Sequence, residues 1–210
     1  ERYPRNLERD TAMLETIGVQ AVFAPTVDVM YPPDFQTSVS MGAIAAPLEG
    51  EFRPHFFTGV ATVVARLLLL TLADKSYFGE KDYQQLLVIK RLQADLAIPT
   101  EIIGVPTIRE PSGLALSSRN AYLTPAQRSI ALSLSATLKA MAEKFRAGVP
   151  IDTIETWAKD ALLQAGFEKV DYITLRDAVT LQSPSVQTTS LRALGAAWLG
   201  KTRLIDNIPV

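Results

Sequence analysis

The chain has 210 residues, 48% hydrophobic and 20% charged, with 21 basic against 22 acidic side chains and a net charge of −1. That composition supplies a core and lacks the basic excess of a nucleic-acid-binding surface. No cysteine and one histidine, His55, exclude disulfides, thiolate nucleophiles, Cys-ligated metal centres and multi-histidine sites within this chain.

Taken in order, "NLERDTAMLETI" (6–17) has amphipathic spacing, with Asn6 as a cap and Gly18 at its end. "VQAVFAP" predicts a short apolar strand, and "TSVSMGAIA" an edge strand or extended loop. Residues 58–72 predict a helix apolar all round, hence buried. The apolar run 60–73 is too short for a bilayer span and carries Arg66. "KSYFG" predicts a strand, 80–95 a helix and "TEIIGVP" another strand. This alternation signals an α/β fold built on a parallel sheet with crossover helices.

The pattern changes after Pro106, so a domain boundary is placed near residue 107. A long helix begins at Thr124-Pro125, a threonine cap with proline at the first position, and ends near Gly148. A second helix covers about 151–164. "KVDYITLRDAVTL" and "LRALGAAWLG" alternate as antiparallel strands, making residues 108–210 a smaller α+β unit.

Three segments carry chemistry. In "FGEKDYQQL" a glycine ends a strand and a helix begins, at the carboxyl edge where open parallel sheets bind ligands. Lys81 at a helix start opposes the helix dipole, unless an anion bound at the free amides turns repulsion into attraction. Asp82 and Gln85 share its sector, and Asp82 suits ribose hydroxyls. A solvated helix start neutralised by Glu80 and Asp82 accounts for the same residues. In "GLALSSRNAYL" two hydroxyls precede Arg119, whose planar fork suits phosphate oxygens. A capping turn with a surface ion pair is the alternative. Neither Ser117 nor Ser118 sits in the G-x-S-x-G setting of a serine hydrolase. In "LEGEFRPHFFTGVATVV" the polar candidates are Arg53 and His55, and a lone histidine there is more simply structural. Val60, Val63 and Val64 have core spacing that also fits an apolar substrate wall.

Across nearly the whole chain these segments resemble the pantothenate synthetase (pantoate–β-alanine ligase) family of the nucleotidyltransferase superfamily. The resemblance runs through "YPR", "MYPP", "LEG", "GVATVVARL", "FGEKDYQQL", "GVPTIREPSGLALSSRNAYLT", "RDAVTL" and "AAWLGKTRLIDN". It implies a Rossmann-like ATP- and pantoate-binding part over 1–107 and a C-terminal lid over 108–210. The implied reaction joins pantoate to β-alanine through a pantoyl-adenylate, releasing pyrophosphate and AMP, in a cytoplasmic homodimer without nucleic-acid or membrane partners. Carried over by motif, Gly79, Glu80, Lys81, Asp82, Ile108, Leu116, Ser117, Ser118 and Arg119 line the ATP site. Lys81 and Arg119 are the catalytic pair, Ile108 and Leu116 flank adenine, and Gln85 holds pantoate. Mg²⁺ accompanies ATP, with Asp10 as a weak candidate partner.

Two departures stand out. The family's HIGH-like histidine segment lies before Glu1, so residues are expected to precede it. The 210 residues alone are expected to bind nucleotide without catalysis. The family's Arg-Pro-Gly-His-Phe-Arg-Gly reads "RPHFFTG" here, with Phe56 at the histidine position and Thr58 at the second arginine, so His55 is given no role.

Overall fold

In the computed structural model, which describes residues 6–210, the first element is helix α1 (Leu7–Thr16). The "YPR" residues lie outside the described range. Asn6 caps α1, its side chain accepting from Arg9 N at 3.0 Å. Gly18 terminates it at φ +80°, where Gly18 N and Val19 N donate back to Glu15 and Leu14. Among the described residues "VQAVFAP" is not a strand. A strand needs a ladder partner, and beyond the Val19 N–Leu14 O bond this stretch has no backbone pairing, with Val22 and Phe23 exposed. One turn of helix, α2 (Val27–Met30), follows. The chain divides into two compact units, one ending at Thr37 and the other spanning Ser38–Val210.

In the second unit residues 38–42 are extended without ladder pairing, then a 3₁₀ turn (Ala43–Ala45) and the short α3 (Glu49–Phe52) lead into α4 (Phe56–Thr71). Helix α4 begins two residues before the expected start. It is buried along one stripe only: Phe57, Ala61, Ala65 and Leu68 are inside, whereas Leu69 and Leu70 are about half exposed. Strands β1 (Lys75–Gly79) and β2 (Glu101–Val105) pair in parallel, in register from Lys75–Glu101 to Gly79–Val105, and helix α5 (Tyr83–Asp95) connects them. Leu68 of α4, Leu86 and Ile89 of α5, Ile98 and Ile102 form the core here. The expected sheet therefore has two parallel strands among the described residues.

The C-terminal half is an antiparallel meander, β3 (Lys169–Asp177), β4 (Leu191–Leu199) and β5 (Thr202–Pro209), in spatial order β3-β4-β5. Helices α6 (Pro125–Arg146) and α7 (Ile151–Ala165) pack on it. Their apolar stripes, with Leu134, Leu138, Met141, Ile154 and Leu162, meet Ile173, Leu175, Ala193 and Leu204 in the largest core. Thr124 and Gln127 form a reciprocal capping box at the start of α6, at 3.2 and 3.0 Å. Gly195 admits α6 to the sheet: a Cβ there would stand 3.0 Å from Leu134 Cδ1. Strand β5 is absent from the sequence expectation because Arg203, Asp206 and Asn207 interrupt its apolar pattern. All three are buried, each held by a polar partner.

Candidate functional site

The segment "FGEKD" passes from β1 into α5, as its composition suggests, but Glu80–Asp82 form a 3₁₀ turn and the α-helix starts at Tyr83. Lys81 therefore stands ahead of the helix rather than within its first turn. The carbonyls of Glu80 and Lys81 accept from Asn207 Nδ2, at 3.0 and 2.9 Å. Gly79 has ordinary extended backbone (φ −68°, ψ 132°), and a Cβ there would meet nothing within 4 Å. Open space at the strand end, rather than a special conformation, is what this glycine offers.

Neutralisation of Lys81 by its neighbours is weak. Glu80 turns away to Arg192, at 2.9 Å, and Asp82 is half exposed with its carboxylate 3.9 Å from the ammonium. A contact that long at a solvated carboxylate contributes little.

The loop at 108–116 folds back on itself. Arg109 faces Ala115 across an antiparallel bridge, flanked by Leu116 N to Ile108 O at 2.9 Å and Glu110 N to Leu114 O at 2.8 Å. Ile108 and Leu116, the expected adenine flank, are thereby brought opposite each other and are 62% and 50% exposed. Ser117 then caps a 3₁₀ turn (Ser118–Tyr122), its Oγ accepting from Arg119 N at 3.2 Å. Buried Asn120 secures the turn by donating to Ala115 O at 3.0 Å. This is the capping turn foreseen as the plain alternative, yet the ion pair that should accompany it is missing: among the described residues the Arg119 guanidinium has no carboxylate or hydrogen-bond partner.

Lys81, Ser117 and Arg119 line one cleft of about 340 Å³, part of it open to solvent, with Arg203 and Asp206 in its wall. The wall charges are already matched. Arg109 grips Asp206 bidentately at 2.7 and 2.8 Å, and that bond, outweighing burial, raises the Arg109 pKa. Arg203 is held by Glu49 at 2.8 Å and Asp171 at 2.7 Å. Burial favours its neutral form, but those two carboxylates more than offset this and raise its pKa. Among the described residues two cations on the cleft lining, Lys81 and Arg119, are left without a close carboxylate partner, a charge arrangement complementary to an anion.

Gly79, Glu80, Asp82, Gln85, Ile108, Leu116 and Ser118 do not line that cleft. Gln85 is half-buried on α5 with no side-chain hydrogen-bond partner among the described residues. Its neighbour Gln84 is buried and holds the 44–49 turn, donating to Ile44 O and Pro47 O and accepting from Glu49 N. Asp10 is exposed in the first unit. Among the described residues no group of three or more His, Asp and Glu side chains converges as a metal site. His55 lines a second hollow with Arg53 and Thr58, and Arg53 stacks on the Phe56 ring at 3.6 Å. No described helix is long and apolar enough to cross a membrane.

The polar residues that brace the site, Glu49, Arg109, Arg192, Arg203, Asp206 and Asn207, were missed in the sequence as individuals. For Arg203, Asp206 and Asn207 the available signal was a run of polar side chains inside an otherwise strand-like C-terminus.

The family model for pantoate–β-alanine ligase matches residues 1–209. Pantothenate synthetase of Paramagnetospirillum magneticum is 53% identical over 209 residues, covering 100% of this chain and 74% of that protein. That of Mesorhizobium japonicum is 50% identical over 210 residues with the same coverage. The crystal structure of pantothenate synthetase from Thermus thermophilus superposes with a TM-score of 0.92 at 46% identity, over 99% of this chain and 76% of that one. The pantoate–β-alanine ligase of Francisella tularensis, solved with beta-gamma ATP and β-alanine, gives a TM-score of 0.77 at 35% identity, over 99% and 71%.

Proposed function

The chain belongs to the pantoate–β-alanine ligase family, and we propose that its cleft binds the triphosphate of ATP for a two-step, AMP-forming ligation. In the first step a pantoate carboxylate oxygen attacks the α-phosphorus and pyrophosphate leaves. In the second the β-alanine amine attacks the acyl carbon, loses a proton and expels AMP. Both steps gather negative charge on oxygen, and neither requires a side chain to become covalently attached.

The observation that carries this reading is the pair of cations on one cleft wall, Lys81 and Arg119, that have no strong partner among the described residues. Fixed positive groups aimed at developing charge lower the barrier more than mobile solvent does. The hydroxyl of Ser117 adds a donor to the phosphates from the cleft wall, and Ser118, the next residue, borders it. Gly79 leaves room for the nucleotide, Glu80 and Asp82 border it, and Asp82 meets the ribose. The exposed Ile108–Leu116 pair offers an apolar face to adenine. Gln85, whose amide has no partner among the described residues, meets pantoate. Mg²⁺ would come with ATP as part of the substrate and offset phosphate charge, with no side chain of this chain assigned to hold it.

Residues 1–107 form the nucleotide and pantoate part in this reading and 108–210 the lid. The working form is a cytoplasmic homodimer.

Incubation with ATP, pantoate and β-alanine tests the proposal. AMP and pyrophosphate should accumulate together, and ¹⁸O placed in the pantoate carboxylate should appear in AMP. Formation of ADP, or AMP without label, refutes the adenylate route. Binding of ATP with no product marks the 210 residues as a nucleotide-binding piece of the enzyme.

A further inference from the structure

The backbone carrying Lys81 is held by a single side-chain amide. Asn207, 4% exposed, donates from Nδ2 to the carbonyls of both Glu80 and Lys81 at 3.0 and 2.9 Å. The orientation of this amide is fixed by chemistry. Arg192 Nε, which can only donate, lies 2.7 Å from Asn207 Oδ1, so the NH₂ end must face the two carbonyls. Asn207 N donates to Asp206 Oδ1 at 2.8 Å, and Arg109 holds that carboxylate.

Arg192 completes the grip. It pairs with Glu80 Oε2 at 2.9 Å and lies over the Tyr83 ring at 3.8 Å. Tyr83 in turn donates from its hydroxyl to Ala178 O at 2.8 Å. Residues 80 and 81 are thus tied to the C-terminal sheet and Tyr83 to Arg192 and to the turn after β3, while among the described residues the Lys81 ammonium has only its 3.9 Å contact with Asp82. The backbone is immobilised and the charged tip is left to the cleft.

We infer that Asn207, oriented by Arg192, is a positioning residue for Lys81, fixing the backbone from which the ammonium reaches phosphate. The inference rests on the cleft being the ATP site. Other side chains fail in this place for specific reasons. An ionised carboxylate would set an anion against two carbonyl oxygens. Leucine would leave both carbonyls and Arg192 Nε without their partner, a buried loss that the fold must absorb by moving the turn.

Two variants test it, Asn207→Leu and Arg192→Lys. The second keeps a cation beside Glu80 but withdraws the donor that orients the amide, and serves if the first fails to fold. Ile154→Val, in the core on α7, which contributes no residue to the cleft lining, is the control for general loss of stability. For each, trace acetylation of Lys81 is followed by peptide mass spectrometry and ATP affinity by calorimetry, beside the thermal midpoint.

Loss of the grip should change the Lys81 labelling rate by about threefold or more through local opening, and weaken ATP binding about tenfold, near 1.4 kcal/mol. Ile154→Val should lower the midpoint and leave both readouts unchanged. Labelling and affinity within twofold of the parent in both variants overturn the inference, as does an equal change in the control. If the parent chain binds no ATP, the ATP-site reading falls, and the labelling rate alone decides whether Asn207 positions Lys81.

Discussion

Replacing Glu49 by alanine removes one carboxylate from the most densely connected polar cluster in the fold. Glu49 is 6% exposed and takes Arg203 Nη1 at 2.8 Å and the Tyr172 hydroxyl at 2.8 Å, with Arg53 farther off at 3.5 Å. Its backbone N–H stays with Gln84 in the variant, so the turn keeps that anchor. Arg203 keeps Asp171 at 2.7 Å, whereas the buried phenol loses its acceptor. Breaking one side of a buried ion pair costs about 3–5 kcal/mol, and the surviving Asp171 contact places this case near the lower figure, about 3 kcal/mol. For a chain of this size that corresponds to a fall of roughly 6–12 °C in Tm. Denaturant unfolding of Glu49→Ala, compared with Arg203→Ala and the double variant, measures it. The double variant should lose less than the sum of the singles, because the two side chains share one interaction. A loss below about 1 kcal/mol, or strict additivity, would refute the reasoning that this pair is coupled and buried.

Gly104→Ala should destabilise by about 1–3 kcal/mol, since its Cβ would lie 2.9 Å from Leu86 Cδ2 and 3.3 Å from Glu80 Oε1; an unchanged unfolding midpoint would contradict that packing. Thr124→Ala removes one arm of the capping box and should cost about 1 kcal/mol by urea unfolding. Burial pushes the Asp171 carboxyl up, but hydrogen bonds from Lys169, Arg203 and Trp198 outweigh it and hold its pKa below the usual carboxylate value. Its folded value being the lower, this contribution is complete above about pH 4 and disappears as pH falls through the folded value. Asp171→Asn should therefore flatten the acid limb of stability against pH between about 5 and 2, and superimposable limbs would contradict it. Lys81→Ala and Arg119→Ala should each weaken ATP binding by about 10- to 150-fold, as expected for loss of a charge-assisted bond of about 1.5–3 kcal/mol; full retention by either removes that residue from the phosphate site.

Local signals were legible where one residue type has one physical job. Thr124-Pro125, Asn6 and Gly18 marked helix ends correctly, and the ends expected near Gly148 and 164 lie within two residues of Arg146 and Ala165. "VQAVFAP" misled because a short apolar run says nothing about whether a partner strand is present. Strand β5 was hidden for the opposite reason: Arg203, Asp206 and Asn207 look solvated until their partners on distant elements are known. At the site, the resemblance assigned Lys81 and Arg119 to one pocket, and both line one cleft, but the other residues of its wall were not legible. That wall includes Asp206 of β5, and the backbone of Lys81 is held by Asn207, 126 residues further along the chain. The 3₁₀ turn at Glu80–Asp82 was likewise unreadable, because the amide engaging its carbonyls comes from β5.

The most direct test is the crystal structure of this chain with a non-hydrolysable ATP analogue and Mg²⁺. Phosphate oxygens should lie within hydrogen-bonding distance of both the Lys81 ammonium and the Arg119 guanidinium, about 2.7–3.2 Å. A triphosphate bound elsewhere, or touching one of these cations while the other points to solvent, would contradict the assignment.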